Sequence, residues 1–312
     1  MIESSLSPES IIAFVTLTLA VALLWAPVVL VNAPRILVRW MRTRPEHAWI
    51  TPGAVSLLFA LIGGLIDFRG LIVLLSFAAA CIAANRARVR GAGLLPTLVT
   101  HAIMLAIGAG LFLHVMPGID NPRVVTDAVL GPGAAAYSKY LNFDKGIAGL
   151  CLLGLYAPHL PSGDEGARHV PGILWRFAIV VAVVMALSLA LGYVRWDPKL
   201  PAWWPLWMWS MVVLTALPEE AVFRGLAQTW IAKRFEDGAT LIPMTLAGLL
   251  FGLAHLAGGP AYVLLASAAG IGYGWVFAST RSIGAAIATH VGVNAIHFFL
   301  FTYPLLAPAL AR

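Results

Sequence analysis

Charge is what this sequence has least of. Only 11% of its 312 residues are Asp, Glu, Lys or Arg, against 60% hydrophobic. A water-soluble domain carries roughly 25% charged residues, so the chain lacks the polar surface that a globule in water needs. Cysteine is nearly absent as well. Cys81 and Cys151 both fall inside apolar stretches, which excludes a disulfide scaffold and predicts two buried free thiols. The first ten residues hold Glu3 and Glu9 but no Lys or Arg, so no basic leader marks a cleaved signal peptide, and Ile11–Val31 reads as a retained span. No basic patch is interleaved with aromatics, which leaves no nucleic-acid partner in spite of a net charge of +6.

What is present is apolar sequence in long runs, and the mean hydropathy is +0.88. The runs are about 16–22 residues long and do not alternate polar with apolar, so they are helices rather than barrel strands. The expected fold is all-α, a polytopic transmembrane helix bundle of about 8–10 spans with membrane lipids around it. Spans are predicted near 11–31, 51–66, 70–84, 94–115, 147–158, 174–194, 204–226, 239–257, 261–279 and 283–306. The segment 147–158 is short enough to be either a crossing or a re-entrant piece. The connection 116–146, with Pro117, Pro122, Gly131, Pro132 and Gly133, reads as a loop. Trp203, Trp204, Trp207 and Trp209 cluster where the seventh span begins, as in an aromatic belt at the lipid–water boundary. No internal repeat and no low-complexity segment is visible.

Basic residues orient such a bundle. With the N-terminus outside and ten crossings, one face receives Arg35, Arg39, Arg42, Arg44, Arg86, Arg88, Arg90, Arg168, Arg176, Arg224, Lys233, Arg234 and Arg281. The other receives Arg69, Arg123, Lys139, Lys145, Arg195, Lys199 and Arg312. Thirteen against seven predicts that the first face is cytoplasmic.

Ionisable groups at membrane depth are costly, so each needs a reason. Three sets stand out in the last third: Glu219, Glu220 and Arg224; Phe251 and His255; His290 and Asn294. Glu220 and Arg224 are four apart with the acid N-terminal, the favourable order for a pair on one helix face. Glu219 lies about 100° round the helix with no partner in the same turn, which predicts a carboxylate left to act as a base. His290 and Asn294 share a face. Glu219 and His255 flank Asp237 symmetrically, so two antiparallel helices meeting at Glu236-Asp237-Gly238 bring them to similar depth. Taken singly, His101 and His114 read as structural, each bonding a neighbouring helix. Phe251 reads as packing, and His297, on nearly the same face as His290, as a weaker site candidate.

The patterns Glu-Glu-x-x-x-Arg, Phe-x-x-x-His and His-x-x-x-Asn resemble those of the CAAX proteases and bacteriocin-processing enzymes, the CPBP or Abi family, related to the Ras-converting CAAX endopeptidases. All three stand in order over about residues 205–306, which divides the chain into a catalytic core, 201–312, and N-terminal transmembrane helices of unassigned role, 1–200. The resemblance implies hydrolysis of a peptide bond in a membrane-associated peptide or protein, near its C-terminus or leader. In that reading Glu219 deprotonates a water that His255 helps to hold, His290 and Asn294 stabilise the oxyanion, and Glu220 with Arg224 braces the site. The resemblance also implies a multi-pass protein of a bacterial inner (plasma) membrane, and with the basic bias it places the site opening toward the cytoplasm. The favoured mechanism requires no cofactor. The alternative is a zinc ion on Glu219, His255 and His290, although no His-Glu-x-x-His is present. Gly-x-Ser-Gly and Gly-x-Gly-Asp are missing too, which counts against rhomboid-like serine and presenilin-like aspartyl sites. A reading from another class is a transporter or channel that uses Glu219, His255 and His290 as a proton or ion relay. Clustering of the polar residues in one third, without a repeat, counts against it.

Overall fold

The computed structural model describes residues 6–25, 47–156, 170–235 and 240–307. The turn around Asp237 and the end of the first predicted span lie outside them. The described chain forms ten helices: α1 (Pro8–Leu23), α2 (Ile50–Ile62), α3 (Phe68–Val89), α4 (Leu94–Phe112), α5 (Phe143–Cys151, continued by a wider π turn to Tyr156), α6 (Val170–Ala190), α7 (Trp204–Ala232), α8 (Leu241–Leu253), α9 (Pro260–Thr280) and α10 (Ile283–Leu300). The all-α polytopic bundle is therefore as expected. Six of the helices (α3, α4, α6, α7, α9 and α10) are long and apolar enough to cross a membrane, while α1, α2 and α8 are shorter apolar helices.

Helix starts and stops follow local chemistry. Ser7 caps α1 by accepting from the Ser10 amide, and Pro8 sits in its first turn. Asp67 caps α3 by accepting from the amides of Arg69 and Gly70. Helix α8 stops at Leu253, after 13 residues or about 20 Å, and a short turn at Leu256–Gly258 leads to Gly259, whose φ of +84° an L side chain rarely adopts. Helices α8 and α9 then pack backbone to backbone: a Cβ on Gly252 would lie 2.7 Å from the Val263 carbonyl oxygen.

Successive helices run in alternating directions, so their connections fall on two faces. On one face, bridges join Ile66 to Ile119, Trp196 to Phe301 and Ala134 to Leu306. On the other, Asn85 donates to the Leu155 carbonyl and Arg88 to that of Tyr156. Two apolar cores fill the bundle. The first gathers Phe14, Leu17, Leu74, Phe77, Phe143, Ile147, Leu214 and Leu217; the second gathers Val180, Val184, Phe251, Tyr273 and Val293. Helix α7 contributes to both, and the polar residues lie along their seam.

Three expectations are corrected. The connection 116–146 is not only loop: β1 (Arg123–Ala128) pairs antiparallel with β2 (Tyr137–Tyr140). Helix α5 starts at Phe143 rather than near 147, taking Asp144 and Lys145 into the bundle, because both find partners there. The tryptophan cluster is not a belt as a whole. Helical spacing turns Trp207 inward, where it is 0% exposed and stacks on Phe298 at 4.0 Å. Trp209 donates to Thr18, and Trp204 at 38% is the exposed one of this pair of helical turns. Cys81 and Cys151 are free and buried, as expected.

Candidate active site

The site begins with a disturbance in α7. Pro218 has no N–H to give to the preceding turn, and its ring crowds that turn's carbonyl. The helix widens to π geometry on both sides, over Met211–Ala216 and Ala221–Gln228. Single-turn π widening recurs at functional sites because it re-aims side chains. Here Glu219 and Glu220 follow the proline directly.

Glu220 points into a dry pocket, and both it and Arg224 are 0% exposed. Arg224 Nε lies 3.0 Å from Glu220 Oε2, an ion pair by distance although the N–H is not aimed at the oxygen. Arg224 Nη2 donates to the Gly270 carbonyl at 2.6 Å. Its guanidinium also lies over the rings of Phe251 and Tyr273, at 5.2 and 5.4 Å. The other carboxylate oxygen, Oε1, accepts from His290 Nδ1 at 2.8 Å. An ionised carboxylate only accepts, so that contact fixes the proton on Nδ1 and turns Nε2 toward the second glutamate. Tyr273 stacks on the His290 ring at 4.6 Å and holds it.

Glu219 departs from expectation. It has no partner within its own helix, but it is not unpaired: Lys145 of α5 donates to its Oε1 at 2.9 Å, with both side chains largely buried. Its Oε2 lies 3.9 Å from His290 Nε2, too long for a direct hydrogen bond. Lys145 comes from the first two hundred residues, where a turn-by-turn reading of the last third does not look. Its sequence signal was available: a Lys within reach of an apolar segment too short to cross unaided.

Glu219, Phe251, His255, His290 and Asn294 line one cavity of about 410 Å³. His255 follows the early end of α8 and donates from Nδ1 to the Phe251 carbonyl at 2.7 Å. Non-helical backbone at membrane depth is tolerated where it lines such a cavity. Asn294 Nδ2 is held by a thioether at 3.3 Å, Met211 Sδ, a weak acceptor that leaves the amide available. Phe251 does pack, with ring contacts to both His255 and His290, so its packing shapes the site. His297 also lines the cavity and donates from Nε2 to the Thr302 carbonyl. His101 and His114 are outside it. His101 bonds Tyr156 of α5, and His114 bonds Asp144 at 2.7 Å, both structural as expected.

Cavity walls also come from residues that the sequence did not single out. Tyr137 and Lys139 of the hairpin, Tyr193 after α6, Tyr262 and Tyr273 of α9, and Tyr303 after α10 all contribute. Burial and the neighbouring Lys145 pull the Lys139 ammonium down to about 8, with Glu219 opposing. The cavity lining reaches the α6–α7 and α8–α9 connections and the segment after α10, at the helix ends opposite the turn near Asp237 and the connection at Arg281. Helix α8 is short and leaves a gap at the His255 end.

The zinc alternative would put a metal on Glu219, His255 and His290. Among the described residues no group of three or more His, Cys, Asp and Glu side chains could hold a metal ion. Glu219 Oε1 is engaged by Lys145, while Nδ1 donation by each histidine leaves its Nε2 free.

A buried carboxylate–histidine cavity thus lies inside a polytopic helical bundle. Residues 201–296 match the family model of the Type II CAAX prenyl endopeptidase Rce1-like proteins. That segment, about a third of the chain, is similar to the CAAX-protease, or CPBP, family, and it lies in a bundle with six helices long and apolar enough to cross a membrane. Neither a curated protein nor a solved structure gives a match.

Proposed function

We propose that this chain is an intramembrane endopeptidase in which Glu219 activates water against a peptide bond of a membrane-associated protein or peptide. The observation that carries the reading is convergence: Glu219, His255, His290 and Asn294, from three helical segments, line one cavity, while Glu220 and Arg224 stand buried behind it. A water between Glu219 Oε2 and His290 Nε2 gives its proton to the carboxylate as its oxygen attacks the scissile carbonyl carbon. The oxyanion that forms is met by Asn294 and by His290, which donates from Nε2 only when it carries both ring protons. His255 orients the water. Glu219 then passes the proton to the amine nitrogen as the C–N bond breaks. Glu220 and Arg224 fix the His290 ring and touch no substrate. Lys145 takes the place of a metal as the cation beside Glu219, so the mechanism uses neither zinc nor any other cofactor.

The test is cleavage by the purified chain in lipid. Glu219→Gln keeps the shape but cannot accept the proton, and turnover is lost. It also leaves the largely buried Lys145 ammonium without its counter-charge, so melts are read beside cleavage, and the loss of turnover exceeds what the fall in stability explains. Asn294→Ala retains partial turnover, lower by about 10²–10³-fold, as expected for one oxyanion donor. Activity persists after exhaustive chelation. Full turnover in Glu219→Gln removes the assigned base. Normal cleavage in every variant together with lost proton or ion flux would favour the relay reading instead.

A further inference from the structure

Two observations that were expected to agree point in opposite directions. The face that carries Arg281 holds, among the described residues, Arg86, Arg88, Arg90, Arg176, Lys233, Arg234 and Arg281. The face that carries the cavity mouth holds Asp67, Asp120, Asp127, Asp144 and Asp197, and three of its cations are spent: Arg69 on Asp67, Lys199 on Asp197 and Lys145 on Glu219. Across the whole sequence the bias runs the same way, twelve Lys and Arg to seven once the buried Arg224 is set aside. The face rich in Lys and Arg stays in the cytoplasm.

The mouth is built by the other face. The hairpin loop pairs with the segment after α10: the Ala135 amide donates to the Leu305 carbonyl, and the Ala307 amide to that of Gly133. The same C-terminal segment pairs with the α6–α7 connection, where the Leu306 amide donates to Tyr193 and the Thr302 amide to Arg195. These three strips rim the cavity through Tyr137, Lys139, Tyr193, Tyr303 and Leu305. A second hollow of about 510 Å³, lined by His114, Asn121 and Asn142, adjoins it and shares Tyr137 and Lys139. No residue of the Arg281 connection, nor of the α3–α4 connection, lines either hollow.

We infer that the cavity opens to the extracytoplasmic side of the membrane, and that its substrate is a membrane-anchored polypeptide whose scissile segment has already been translocated to that side. The orientation rests on charge and connectivity alone, while the substrate class rests also on the peptidase reading above. An extended peptide reaches Glu219 from the two adjoining hollows past Lys139, without crossing the basic face.

Site-directed cysteines in the full chain test this, since Cys81 and Cys151 are buried and give a quiet background. Val129→Cys and Leu200→Cys place thiols on exposed positions of the mouth face, and Arg90→Cys places one on the basic face. In intact cells an impermeant maleimide labels the first two, and Arg90→Cys labels only after permeabilisation. Thr215→Cys, one turn above Glu219 in the cavity wall, is modified by a small charged thiosulfonate added outside. The reverse pattern, with Arg90→Cys labelled from outside and Leu200→Cys protected, overturns the inference whatever the enzyme does. Outward labelling at Leu200→Cys and Thr215→Cys supports the orientation even if no cleavage product is found, in which case the peptidase reading and the substrate class fall together.

Discussion

At the scale of single residues, the two adjacent glutamates divide the labour through their partners. Glu220 is locked between Arg224 and His290 with no exposure, so Glu220→Gln strands a buried guanidinium. Breaking a buried pair in this way costs about 3–5 kcal/mol, and detergent melts of that variant should fall along with its activity. Lys145→Met leaves the Glu219 carboxylate without its cation, and a loss of about 3–5 kcal/mol is expected there too, read by the same melts; an unchanged melt would mean that the pair contributes nothing to the fold. Lys139 gives a pH signature. Its pKa in the folded chain is pushed down to about 8 by burial beside Lys145, against about 10.4 for a free lysine. Between those values the unfolded chain binds the extra proton, so stability rises with pH across that window. Lys139→Met should flatten the rise in melting temperature between pH 8 and 10 that the parent shows; an identical rise in both would assign it to other groups.

At the scale of elements, the site depends on how closely α5 approaches α7. A Cβ on Gly149 would lie 2.8 Å from the Pro218 Cα, backbone that cannot rotate aside. Gly149→Val should therefore push α5 from α7 and separate Lys145 from Glu219, at a cost of about 1–3 kcal/mol for overpacking and a larger loss of turnover, measured as melts against cleavage. Elements are also where sequence and structure part company. The apolar runs of α3, α4, α6, α9 and α10 are legible because lipid forces long helices, and the Glu220–Arg224 pair because it lies within one helix. Contacts across helices leave no such periodic trace. Lys145 meets Glu219 from 74 positions away, and a reading confined to ionisable residues in the last third passes over it. The hairpin was hidden by the prolines and glycines of 116–146, which mark turns but say nothing of the short Val124-Val125 pairing between them. Helix α8 stops early at Leu253, whereas from sequence 239–257 reads as one uninterrupted apolar run.

At the scale of the molecule, the bundle joins a matched family segment to helices that supply its counter-charge. Residues 201–296 carry all seven motif residues, yet from outside that segment Lys139 lines the same cavity and Lys145 bonds Glu219. Truncation to the matched segment should therefore yield a chain without turnover, because Glu219 loses its cation and the first apolar core loses α1, α3 and α5; cleavage by the isolated segment would show that these helices serve something else. The central claim is that Glu219 makes this bundle a protease. Quantitative mass spectrometry of protein C-termini, comparing membranes from cells expressing the parent chain with those expressing Glu219→Gln at equal levels, tests it most directly. The account predicts new C-termini in membrane-anchored proteins that appear with the parent and vanish with Glu219→Gln, and the same termini with both chains would contradict it.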